Sequence, residues 1–291
     1  MGTDNQHTAG EMPGFAEACA RIERIMADDP RGRGIGALVQ PGALATAATL
    51  LFALAGEGAE IWVISGFYLP VPQAPETDGP PGAQALAVAL RALGANPLHV
   101  TDAPHLALYR AMGTEALDAT DTEQTPAPWG RAAALVAIER PGRAADGRYL
   151  SMSARDVTPH TAPLDRWFLE RPPGGPPTIA IGDGGNEIGM GNVRDLVMRD
   201  VPHGEAIASV VPCDHLLVAG VSNFGAYGLV AALSLLAGRD LLPTAAQAEA
   251  DIMACVGAGA CDGHTFENAP SVDGLPVAAS LDFLRALRQI Q

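Results

Sequence analysis

The run Ile181-Gly182-Asp183-Gly184-Gly185-Asn186-Glu187-Ile188-Gly189-Met190-Gly191-Asn192 holds five glycines, two carboxylates and two carboxamides in twelve residues. It continues the apolar stretch that begins at Thr178, so the order reads as a buried strand, a tight turn and a helix start. Asp183 falls in the turn and Glu187 in the first helical turn. Two acids beside Asn186 and Asn192 suit a hard cation with oxygen ligands, and Asp183 and Glu187 are the candidate metal ligands. Free N–H groups around Gly184 and Gly185 would offer an anion or oxyanion site. The spacing is not that of a dinucleotide fingerprint, and the acids would repel a pyrophosphate, so no nucleotide cofactor is expected.

Three further polar segments carry candidates. Glu76-Thr77-Asp78-Gly79-Pro80-Pro81-Gly82 lies in a loop read as running from Tyr68 to Gly82; Glu76 and Thr77 are candidate substrate contacts and Asp78 a candidate acid–base. Glu139-Arg140 closes the apolar run Ala133 to Ile138, and charges at the end of a parallel strand face the ligand crevice. Glu139 is thus a candidate catalytic group, and Arg140 and Arg143 are candidates to grip a substrate carboxylate, with an Arg143–Asp146 ion pair as the plainer alternative. Ser222-Asn223 follows the strand His215 to Ala219 and either caps the next helix or lines the site.

These loops need a scaffold that gathers them. Apolar runs at Ile61–Ile64, Pro97–Val100, Ala133–Ile138, Thr178–Ile181 and His215–Ala219 alternate with helical stretches at 15–26, 42–55, 84–93, 105–112 and 163–169, a long one that follows the loop 220–226 and runs to about 237, and two more at 243–256 and 277–290. That alternation predicts an α/β fold: a mostly parallel central sheet with helices on both faces and a ligand site at the carboxyl ends of the strands. Residues 1–13 read as a flexible N-terminus and 14–291 as a single α/β domain.

Composition narrows the chemistry. All 18 basic residues are arginine, so no Schiff-base lysine exists: pyridoxal phosphate and a lysine aldolase mechanism are excluded, as is a Walker-type phosphate loop. Net charge is −15 without a basic run, which speaks against nucleic acid and anionic membranes as partners. The four cysteines form no CxxC and read as reduced thiols; with no apolar N-terminal run, a cytoplasmic protein is expected.

Several segments together resemble the D-glutamate cyclase domain family, first described as a domain of unknown function: Gly34-Ile35-Gly36, Ser65-Gly66-Phe67, Glu76 to Gly82, Glu139 to Gly147, Gly182 to Asn192, Ser222 to Ala226 and Ser271-Val272-Asp273-Gly274-Leu275. The resemblance implies a lyase that cyclises D-glutamate to 5-oxo-D-proline with loss of water. Mitochondrial members join this domain to an N-terminal domain resembling a hydro-lyase, so a separate hydro-lyase-like partner or a homo-oligomer is the expectation here. For that reaction Arg140 or Arg143 would hold the α-carboxylate and the Gly184 and Gly185 N–H groups the tetrahedral intermediate. Mn²⁺ or Mg²⁺ on Asp183 and Glu187 would assist, with Glu187 or Asp78 moving the proton. A lyase or hydrolase for another small acidic metabolite, and a non-catalytic amino-acid-binding domain, are the alternatives; D and L substrates are not distinguished by any motif.

Overall fold

The computed structural model describes residues 14–121 and 125–290; the expected flexible N-terminus, 1–13, lies outside them. Six strands form one parallel sheet: β1 (Glu60–Ser65), β2 (Asn96–Thr101), β3 (Ala116–Asp118), β4 (Ala134–Ile138), β5 (Thr178–Gly182) and β6 (His215–Val218). Their spatial order is β3-β2-β1-β4-β5-β6, with every neighbouring pair parallel. The chain builds outward from β1 in one direction, then returns to start the other half at β4. This is the doubly wound order, and the reversal between β1 and β4 opens a crevice at the carboxyl ends of those strands.

Sequence alternation explains why the sheet is buried on both faces. Ile61 and Val63 of β1 join one apolar cluster with Val136, Ile179, Ile181 and Leu217. Trp62 and Ile64 turn to the other face and join Leu135, Ala137, Ala180 and Leu216. Both faces are apolar, so these strands read as continuous hydrophobic runs. The first face is covered by α1 (Phe15–Met26), α2 (Ala43–Leu54), α3 (Pro80–Ala92), α4 (Ser222–Ala237) and α5 (Val277–Arg288). α4 is apolar nearly all round because it is enclosed between the sheet and the outer helices. The second face carries only short helices, Arg166–Leu169, Arg194–Asp200 and Gly204–Ile207, set among long loops.

Two elements differ from the sequence reading. β3 is three half-buried residues at the sheet edge, too short for a periodic signal. The loop expected from Tyr68 to Gly82 is structured at both ends: Tyr68–Leu69 pairs antiparallel with Ala74–Pro75, and α3 already begins at Pro80. Proline is well placed in a first helical turn, where its missing N–H has no intrahelical partner to lose.

Candidate active site at the strand reversal

The loops after β1, β4, β5 and β6 meet at the carboxyl edge of the sheet, as their position after parallel strands predicts. Oxygen atoms of Asp78, Glu139 and Asp183 lie within 4.8 Å of one another, and all three residues are buried. Glu76 and Asp273 add two more buried carboxylates to the same neighbourhood. A cleft of about 430 Å³ opens over them, with Glu76, Glu139, Asp183 and Asp273 in its wall together with Arg31 and Arg33.

Each acid is held by a different local device. Asp78 precedes α3 but caps α4: its Oδ2 accepts from the Ser222 N–H at 2.8 Å and its Oδ1 from the Asn223 N–H at 2.7 Å. Asn223 returns the favour, its Oδ1 accepting from the N–H groups of Gly79 and Gly82 at 3.0 and 2.7 Å at the start of α3. The two helix N-termini are therefore cross-capped, and both point their dipoles at the carboxylates. A side chain at Gly79, which has φ +99°, would strike Ser65 Oγ and Glu139 Cβ. Glu139 itself sits at φ +45°, a left-handed conformation that costs a non-glycine residue on the order of 1–3 kcal/mol and recurs at functional sites. Its Oε2 accepts from Ser222 Oγ at 2.6 Å. Asp183 accepts from Arg33 Nη1 at 2.6 Å, and the same guanidinium reaches Asp273 through Nη2.

Burial and mutual repulsion raise the acids out of their normal range. Desolvation is the main cause for all of them. Neighbouring carboxylates add to it, so Glu76, Asp78 and Glu139 are pushed well above ordinary carboxylate values. Asp183 rises to about 6, because Arg33 offsets part of its burial, and Asp273 also rises to about 6. The rise is uneven across the cluster, and carboxyl groups whose values are pushed apart can divide acid and base roles within one site.

Several expected roles are reassigned. Glu187 is not in a helical turn: the chain makes further turns through Gly189, then a 3₁₀ turn at Met190–Val193, and the helix starts only at Arg194. The Glu187 carboxylate instead folds back to accept from the N–H groups of Asp183 (3.1 Å), Gly184 (2.7 Å) and Gly185 (2.7 Å). It plugs the glycine turn, so the Gly184 and Gly185 donors are already taken; Glu187 is not one of the three clustered acids, though its charge still repels Asp183 and Glu139. Asn192 is spent bracing Cys213. Arg140 is buried in a two-pronged pair with Asp102 and also donates to Ala162 O at 2.7 Å, and Arg143 is paired with Asp165. A buried arginine without a carboxylate partner would be prohibitively desolvated, which ties Arg140 to Asp102; the partly exposed Arg143 is held by its own pair with Asp165. Asp146 pairs with Arg148 rather than Arg143. Thr77 donates to Ser271 O at 2.9 Å beneath the wall, and Asn186 is in the wall with its amide N–H on Leu150 O at 2.7 Å.

The cleft's cations are Arg31 and Arg33, carried by a glycine turn whose N–H groups at Arg33 and Gly34 bond Asp29. Nothing in the local spacing marks them as site residues; the pointer was the adjacent Gly34-Ile35-Gly36 segment. Asp273, likewise unassigned from sequence, sits in Ser271–Leu275.

Asp78, Glu139 and Asp183 fit a divalent cation in donor type: all are hard oxygens, desolvated, with a single arginine to balance them. The triad can hold a metal ion, with Asp183 common to the expected pair and Glu187 replaced by Asp78 and Glu139. The four cysteines are free thiols, and among the described residues no helix is long and apolar enough to cross a membrane.

A doubly wound sheet gathers acids and arginines at its strand reversal, the groups that acid–base chemistry on a small polar ligand would need. Residues 22–288 match the family described as D-glutamate cyclase-like, C-terminal, and the chain belongs to that family. The human protein D-glutamate cyclase, mitochondrial, is 37% identical over 245 residues, an alignment covering 74% of this chain and 38% of the human one. The chain thus spans well under half the length of that relative. From the resembling segments, Phe67, Glu76, Glu139, Asp183, Asn186 and Asp273 reach the cleft wall.

Proposed function

We propose that this chain cyclises D-glutamate to 5-oxo-D-proline, releasing water. The observation that carries the reading is the buried carboxyl cluster, its members raised above the ordinary carboxylate range, open to a cleft that also holds two arginines. The family membership supports it.

In the reaction the α-nitrogen attacks the γ-carboxyl carbon, a C–N bond forms and a C–O bond breaks. Both protons shed by nitrogen leave on the departing oxygen as water. Asp183, ionised above about pH 6, accepts the first proton from the ammonium and hands it on to the departing oxygen. Glu139, protonated because burial and its neighbours raise it, protonates the γ-oxygen and is refilled by the second. Arg31 and Arg33 hold the α-carboxylate, in the role first expected of Arg140 and Arg143. Closing the chain on itself inside a shaped cleft supplies much of the rate through orientation. With Mn²⁺ or Mg²⁺ bound, Asp78, Glu139 and Asp183 would hold the ion as ionised carboxylates, and its charge, in place of the Glu139 proton, would neutralise the γ-carboxylate and polarise it toward attack.

Chiral chromatography of D- and L-glutamate incubated with the protein, with and without Mn²⁺ or Mg²⁺, tests this. The expected result is 5-oxo-D-proline from the D enantiomer, with turnover reduced at least ~100-fold in Asp183→Asn, the usual scale for a lost acid–base group. Folded protein that forms no product from either enantiomer would turn the site over to another small acidic metabolite.

A further inference from the structure

The cleft has two chemically different halves, and the proposed substrate accounts for only one. The floor is the acidic cluster with Arg31 and Arg33. The mouth, marked by the exposed Val71 and Phe266, is lined by these two with Phe67, Leu69 and Pro70, and by His203 and His264 beside them. Val71 and Phe266 are 47% and 39% exposed, two of the five large hydrophobic side chains left open to solvent among the described residues. The mouth is also deliberately built. Leu69 and Ala74 of the short antiparallel ribbon pack on Cys261, which ties the ribbon to the loop that carries Phe266. Asp262 then organises that loop, accepting from the N–H groups of His264 (2.9 Å), Thr265 (2.8 Å) and Gly274 (2.6 Å), while Phe266 N–H bonds Asp262 O at 2.9 Å. Phe266 is held at φ +63° and Gln73, in the ribbon turn, at φ +54°. Left-handed backbone at non-glycine residues is held against a cost, and such positions cluster at ligand clamps.

Size and charge point the same way. A volume of about 430 Å³ lies in the range of about 300–1,000 Å³ that suits drug-sized ligands, whereas free glutamate has only about ten non-hydrogen atoms. Free glutamate also brings two carboxylates to a wall that already holds four, against two arginines.

Resting on the cyclisation reading, we infer that the site also accepts γ-amides and γ-esters of D-glutamate whose γ-substituent is apolar, and cyclises them with loss of that substituent. Chemistry fixes the point of attachment. An acyl group on nitrogen would remove the nucleophile, and a substituent on the α-carboxyl would remove the arginines' partner. Extension from the γ-carbon keeps both, deletes one negative charge and leads the substituent out along the apolar mouth. The balance is simple: the α-nitrogen bonds the γ-carbonyl carbon, the bond from that carbon to the amide nitrogen or ester oxygen breaks, and the leaving amine or alcohol takes up one of the two protons shed by the attacking nitrogen. The second proton leaves on the amine as its ammonium or, from an ester, passes to solvent. No oxidant or co-reactant is needed.

The test compares D-glutamate, D-glutamine and the γ-benzylamide of D-glutamate, each corrected for spontaneous cyclisation, with 5-oxo-D-proline as the common product. D-Glutamine and the benzylamide share the amide leaving bond and differ in the apolar group. The expected result is a kcat/KM for the benzylamide at least tenfold above that for D-glutamine, with the difference in KM. In Phe266→Ser and Val71→Ser, surface changes checked for folding by circular dichroism, this ratio should fall toward one. A ratio near one in the unmodified protein, with D-glutamate still cyclised, overturns the inference and leaves the cyclase reading standing. Benzylamide turnover without D-glutamate turnover supports the inference and overturns the free-acid reading. No product from any of the three overturns both.

Discussion

At the scale of single residues, the acids of the cleft are coupled to pH in a direction that can be worked out. The carboxyl of Asp183 titrates near 6 in the folded protein, against an ordinary 3.8, because burial penalises its charge. A group raised on folding binds protons more tightly in the native state. Its contribution to stability is therefore fully present below about pH 4 and is lost as pH rises through about 6. Metal-free protein should gain stability between pH 7 and pH 5, on the order of 1–3 kcal/mol from this group, and the gain should shrink in Asp183→Asn. Thermal melts in a chelating buffer across that range read it, and parallel melting curves for the two proteins would contradict the assignment. Activity carries the opposite sign. Asp183 must be ionised to take a proton, so kcat/KM should fall below about pH 6, and loss of the proton held by Glu139 should bring it down again at higher pH.

At the scale of elements, the site depends on two helices that cap each other. The sequence reading allowed Ser222-Asn223 either to cap a helix or to line the site. Asn223 does cap a helix, but it is α3, more than a hundred residues earlier in the chain, while Asp78 caps α4 in exchange. Asn223→Ala should strand the N–H groups of Gly79 and Gly82 inside the protein and cost about 1–3 kcal/mol. In a chain this long that amounts to a fall in Tm of several degrees, by calorimetry, at roughly 2–4 °C per kcal/mol. Activity should fall further than stability does, since Asp78 moves with the caps. A variant that melts like the parent would mean the N–H groups find other acceptors. The same element logic explains Glu187. Local periodicity placed it on a helix, but three free N–H groups in a glycine turn attracted the nearest carboxylate first.

At the scale of the whole molecule, a chain with net charge −15 concentrates five buried acids at one edge of its sheet. Assembling them is unfavourable until something positive arrives. A cation that binds the native triad and not the unfolded chain should raise stability by RT ln(1 + [L]/Kd), about 2.7 kcal/mol at a hundredfold excess over Kd. Titrating Mn²⁺ or Mg²⁺ into chelator-treated protein should therefore raise Tm, and Glu139→Gln should abolish the rise. An unchanged Tm over millimolar cation would remove the metal from the account.

How much of this was legible without coordinates follows from the range of the forces involved. Apolar runs of four to six residues, broken by glycine-rich loops and helical stretches, determined an α/β fold, because burial on both faces leaves a strand no polar positions. Parallel strands with polar loops after them also determined that Asp78, Glu139 and Asp183 would share one edge. The absence of lysine settled by itself which cofactor chemistries are closed. Tertiary structure alone decided the partners. Arg140 and Arg143 look free in a linear reading, but Asp102 and Asp165 reach them from distant loops and tie them into the scaffold. Arg31, Arg33 and Asp273 come from opposite ends of the chain to take the places beside the acids. Charge pairing acts through space over a few ångströms, whereas spacing along a sequence reports only the neighbours that one helix or strand can bring together.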